Sequence, residues 1–90
     1  MKKISAQVRV KKWWLIKNDM YAACNNQISE GRRTENSWLS VVGETDKAYL
    51  FDGMQMHITN QWCPKSAILE VREGCYDSNG WFVTPDGKRY

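Results

Sequence analysis

The chain has ninety residues, 42% of them hydrophobic and 26% charged, which is the size and composition of one small globular domain. Its net charge of +3 hides a division: Met1 to Lys17 carry six Lys and Arg side chains and no acid, whereas residues 18–90 hold seven basic against ten acidic ones. Clustered like charge costs self-repulsion that a complementary surface relieves, so the pattern points to a polyanion or an acidic protein surface as partner and names no reaction.

The remaining composition narrows the class. No apolar run approaches the roughly eighteen residues of a membrane span, and Met1 to Lys17 lacks the apolar stretch of a secretory signal, so the expected location is the cytoplasm. Cys24, Cys63 and Cys75 are odd in number and widely spaced, which argues against a disulfide framework. With His57 they form a scattered set that lacks the close ligand spacing of structural zinc sites, and no cofactor is expected. Five Trp, four Tyr and two Phe supply the large rings that a thin domain needs for its core.

In chain order, Ile4, Ala6, Val8 and Val10 alternate with Ser5, Gln7, Arg9 and Lys11, the period of a half-buried strand with its basic residues outward. Trp13 to Ile16 are apolar on both faces, and Trp13, Ile16, Lys17, Met20 and Cys24 also stand at helical spacing; the reading adopted is strand to about Lys17. A short helix over Met20 to Gln27 follows, with Asp19 as its N-cap. Ser29 to Ser37 has no apolar residue and reads as a surface loop bearing Arg32 and Arg33. Trp38 to Val42 and Ala48 to Phe51 are predicted strands that pair across a polar turn at Gly43 to Lys47. Asp52-Gly53 suits a tight hairpin turn into a further strand through Met54, Met56 and Ile58, giving a three-strand meander that ends near Trp62.

Pro64-Lys65-Ser66 has the character of one helical turn, Ala67 to Glu73 of a strand ended by Gly74, and Trp81 to Tyr90 of a terminal hairpin turning at Pro85-Asp86-Gly87. The expected fold is mainly β: a small SH3-like barrel, or a curved antiparallel sheet packed on one short helix, over residues 1–73, with a C-terminal hairpin extension over 74–90.

The segments Trp38-Leu39-Ser40-Val41-Val42-Gly43-Glu44-Thr45-Asp46-Lys47-Ala48 and Trp62-Cys63-Pro64-Lys65-Ser66-Ala67-Ile68 resemble a family of small uncharacterised proteins from phages and mobile elements, which share a W-x-P-K-S-x-[IV] ending. The resemblance covers about residues 38 to 70. It implies an accessory protein working in a bacterial host cell, in a setting where many small proteins are binders or inhibitors of host defence, and it transfers no catalytic residues.

Enzymatic readings find little support. There is one histidine, no nucleophile elbow, no phosphate-binding glycine loop, and no neighbouring base for Cys63, so a non-enzymatic protein is expected. Nucleic-acid binding needs cations for phosphates and, for single strands, aromatic platforms for bases. Arg9, Lys11, Lys12, Trp13 and Lys17, joined by Arg32, Arg33 and Lys65, supply both residue types and are the expected binding residues. The alternative is a protein interaction module acting as an inhibitor of a host protein through the same face.

Overall fold

The computed structural model of the chain describes residues 1–52 and 62–90. Strand β1 (Lys2–Val10) is followed by helix α1 (Lys12–Lys17), helix α2 (Asn25–Ser29), β2 (Leu39–Glu44), β3 (Ala48–Phe51) and β4 (Trp62–Pro64). A 3-10 turn (Lys65–Ala67), β5 (Ile68–Glu73), β6 (Cys75–Tyr76) and β7 (Phe82–Val83) complete the order. Five strands form one curled antiparallel sheet, a half-barrel, in the order β4-β3-β2-β1-β5; β6 and β7 form a separate pair. The expected mainly β fold, a small barrel or curved antiparallel sheet, is observed as this half-barrel, with two short helices, α1 and α2, where one was expected.

Alternation along β1 builds the core. Ala6, Val8 and Val10 point inward and are buried, meeting Leu39 and Val41 from β2, Phe51 from β3, Cys63 from β4 and Ala67 from the 3-10 turn. Gln7 and Arg9 take the opposite face, where β1 pairs Gln7 with Ser40 of β2 and Arg72 of β5, and Arg9 with Glu70. β2 and β3 pair as the sequence predicts, and Trp62 to Pro64 add to β3. The tight turn at Asp52-Gly53 and the strand through Met54, His57 and Ile58 lie outside the described residues. Pro64, with φ −64°, ends β4 and leads into the 3-10 turn, because its ring presets φ and removes the amide donor.

Two expectations about the first excursion are corrected. The strand stops at Val10, and Lys12 to Lys17 turn as helix, with the Lys11 amide held by the Ala67 carbonyl at 2.8 Å. Helical turning puts Trp14 and Leu15 both inward over the open end of the sheet, where Trp14 meets the Phe51 ring edge-on at 5.7 Å. A strand would send these neighbours to opposite faces. Asp19 is no N-cap: its φ of +56° places it in the left-handed turn that ends α1, and α2 begins later, after Cys24. Short polar Asp side chains tolerate that region better than most residues.

The C-terminal segment folds as a small antiparallel unit. Phe82 is fully buried and meets Tyr76 edge-on at 5.2 Å, and the Phe82 and Tyr90 backbones exchange hydrogen bonds of 3.2 and 2.9 Å. Gly74 lets this unit approach β5, since a Cβ there would stand 2.4 Å from the Val83 carbonyl oxygen and 2.9 Å from the Phe82 ring. Gly74→Ala is expected to displace the hairpin and cost about 1–3 kcal/mol as overpacking does. A drop in urea midpoint accompanied by greater exposure of Phe82 would register it; an unchanged midpoint would show that the hairpin contributes no stability.

Candidate binding surface

Helix α1 presents two unlike faces because its six residues make fewer than two turns. Trp14 and Leu15 fill the core side, and Trp13 and Ile16 stand outward, half exposed at 50% and 55%. Lys12 and Lys17 share this outward side, and Lys11 precedes it at the helix start. The Lys12 ammonium lies 5.0 Å from the centre of the Tyr21 ring, an attraction that holds the charge beside an aromatic face without neutralising it. Lys17 sits in the last turn, where the carbonyl end of the helix favours a cation. Among the described residues, none of these three ammonium groups is in an ion pair.

The other expected binding residues are placed differently, and the expected joint basic wall does not form. Arg9 is bound to Glu70 across the β1–β5 ladder at 2.6 Å and donates to the Glu35 carbonyl at 3.1 Å. Arg32 pairs with Asp19 at 3.1 Å, and Arg33 donates to the carbonyls of Arg32 and Ile28. The Lys65 ammonium is 2.5 Å from Glu44 and 5.1 Å from the Tyr49 ring centre, and its hydrogen bond to Glu44 raises its pKa. Lys2 and Lys3 open β1 at the end opposite Lys11, against Glu44 and Gly43 of β2. What the structure gathers from the predicted set is Lys11, Lys12, Trp13 and Lys17. Arg32 stands nearby across a shallow cleft of about 370 Å³ lined by Ile16, Tyr21 and Gln27.

Arg72, which the sequence reading passed over, organises the opposite face of the sheet. Its guanidinium lies 4.0 Å from the centre of Trp38 and 3.7 Å from that of Tyr90, and it donates to Gln7 Oε1 through Nε at 2.8 Å and Nη2 at 2.5 Å. Gln7 in turn donates to the Tyr76 hydroxyl at 2.9 Å, and that hydroxyl is hydrogen-bonded to Ser40. This network spans β5, β1 and β2 and ties β6 to them. Burial lowers the Arg72 pKa, yet guanidinium remains charged in proteins. The signal in the sequence is a lone arginine within Ile68–Glu73 ahead of an aromatic-rich tail.

The three thiols differ by position. Cys24 and Cys75 are exposed, and Cys63 is fully buried, so desolvation pushes its pKa from 9.0 up to about 12. Thiolate is the reactive form, so a thiol reagent at pH 8 is expected to modify Cys24 and Cys75 quickly and Cys63 only after unfolding. The sign of the linkage follows: above pH 9 the unfolded thiol ionises before the folded one, and stability declines from there through about pH 12. Mass spectrometry after timed alkylation tests the first statement, and three equal rates would refute it.

Among the described residues, no group of three or more His, Cys, Asp and Glu side chains is placed to hold a metal ion, and no helix is long and apolar enough to cross a membrane. The chain is a small curled β domain carrying one short basic and aromatic helix. Comparison with protein-family models, with curated proteins and with solved structures found no match.

Proposed function

We propose that the protein is a non-enzymatic binding module of a phage or mobile element that acts in the bacterial cytoplasm and binds nucleic acid through α1. The observation that carries this reading is the conjunction at α1 and its first flanking residue of Lys11, Lys12 and Lys17, free of ion pairs among the described residues, with the half-exposed Trp13 ring. Ammonium groups that no carboxylate neutralises among the described residues release counterions from phosphates, and a tryptophan face stacks on any base, so binding is salt-sensitive and nearly indifferent to sequence. Fluorescence anisotropy with labelled single-stranded DNA, duplex DNA and RNA across a salt series tests it. Affinity should fall steeply with salt, and absence of binding at low salt would overturn the reading.

One observation favours the alternative of a protein inhibitor. Ile16, more exposed than Trp13 and one turn along, adds an aliphatic surface that phosphates do not use but a protein partner does. On that reading the lysines meet carboxylates of a host protein, and nucleic acid fails to bind.

A further inference from the structure

We infer that the open seam of the half-barrel, along the outer edge of β5, docks an extended basic segment of a partner protein, which adds a strand to β5 and seats one Lys or Arg side chain beside Glu73.

The seam follows from the strand order. β4 and β5 are joined by a single 3-10 turn, yet they are the two outermost strands of the sheet and do not pair with each other. Among the described residues β5 bonds to a strand along one side only, to β1, and these leave a row of backbone donors and acceptors on its other side. Proteins usually blunt such an edge with charge, proline or a cover; Ile68–Glu73 has no proline, and of its three charged residues Glu70 is held by Arg9 and Arg72 by Gln7, Trp38 and Tyr90. Leu69 and Val71 are instead 45% and 44% exposed.

A cavity of about 400 Å³ opens beside Val71 and Glu73 of β5. Ile4 and Ala6 of β1, Tyr49 of β3 and Val71 of β5 form its apolar wall, with Glu44 and Glu73 among its lining residues. That combination fits a long side chain with an apolar stem and a charged head.

The sign of the head is set by which charge β5 leaves without an ion pair among the described residues. Its one cation, Arg72, is stacked between Trp38 and Tyr90 and bonded to Gln7 on the other face of the sheet. Glu70 is occupied by Arg9, and Glu44 by Lys65. Glu73 has no ion pair among the described residues. An incoming ammonium or guanidinium completes it, and the β5 edge supplies the backbone pairing that makes strand addition a general means of peptide capture. This site is separate from α1 and does not depend on the nucleic-acid reading.

The test uses the full chain. A random-peptide library is panned on the immobilised protein, and the enriched peptides are synthesised with a fluorescent label. Expected are peptides in which apolar residues alternate around one Lys or Arg. Glu73→Lys should weaken their binding about tenfold or more, as reversing one partner of a charge pair does, and Glu73→Gln should weaken it less. Methylating alternate peptide amides should abolish binding, and amide exchange should slow along Ile68–Glu73. Lys11→Gln/Lys12→Gln/Lys17→Gln should bind the peptides as the parent does, even if nucleic-acid binding is lost or was never present. Circular dichroism of each variant establishes that it folds. Failure to enrich any peptide, binding indifferent to both Glu73 variants and to amide methylation, or protection mapped elsewhere would overturn the inference. So would concentration-dependent dimerisation abolished by Glu73→Lys, which would assign the seam to a second copy.

Discussion

Trp14→Ala is expected to destabilise the domain by about 3–5 kcal/mol, whereas Trp13→Ala, one residue away, should change stability by no more than about 0.5 kcal/mol. The contrast rests on the inward and outward sides of α1. Trp14 is 5% exposed and packs edge-on against Phe51, so truncation removes large buried area and leaves a cavity bounded by Leu15 and Phe51. A domain of ninety residues has a total stability on the order of 5–14 kcal/mol, so the loss would remove from about a fifth to all of it. Trp13 contributes little to the core, and its loss should appear in binding, as weaker affinity for single strands than for duplex once a stacking platform is gone. Urea melts and anisotropy on the two variants measure both effects. Equal destabilisation by the two substitutions would refute the inward and outward assignment, and unchanged single-strand affinity of Trp13→Ala would remove the ring from the site.

Neutralising Lys11, Lys12 and Lys17 together to glutamine should leave the urea midpoint nearly unchanged and reduce the slope of log affinity against log salt by about two, since each phosphate contact on a single strand contributes about 0.7. The weakening should be uniform across sequences, because the phosphates carry no base identity. The same substitution at Arg9 or Lys65 is a control with a different expectation. Each is held by a carboxylate of the protein itself, Glu70 and Glu44 respectively, so removing either frees an acid and should alter the salt slope by less than one of the α1 lysines does. A triple variant that keeps its full salt dependence would place the polyanion site elsewhere.

Much of the sheet was legible because its signals are local. The alternation of Ile4 to Val10 gave β1, two apolar runs about a polar turn gave β2 and β3, and Pro64 marked the 3-10 turn whose side chains precede β5. α1 was not legible in the same way. Trp13-Trp14-Leu15-Ile16 is apolar throughout, and a short run of that kind satisfies a buried strand and a helical turn equally; the Ala67 carbonyl that catches Lys11 comes from a distant part of the chain. Asp19 misled because the same short carboxylate that caps helices also tolerates the left-handed turn it occupies. The candidate site was half legible for a related reason. Net charge by segment located the lysines of α1, but the partners that quench Arg9, Lys65 and Arg32 are set by strand register and loop closure across 61, 21 and 13 residues.

The placement of β1 in the middle of the sheet bears on how the chain emerges from a ribosome. β1, which precedes both in the chain, lies between β2 and β5, and its Gln7 bonds to an arginine 65 residues later. Until that stretch is translated, β1 has one flank and much of its apolar row without a neighbour. Contacts so far apart in sequence slow the search for the native arrangement, so a nascent copy spends its vulnerable period with Ala6, Val8 and Val10 accessible to chaperones and proteases.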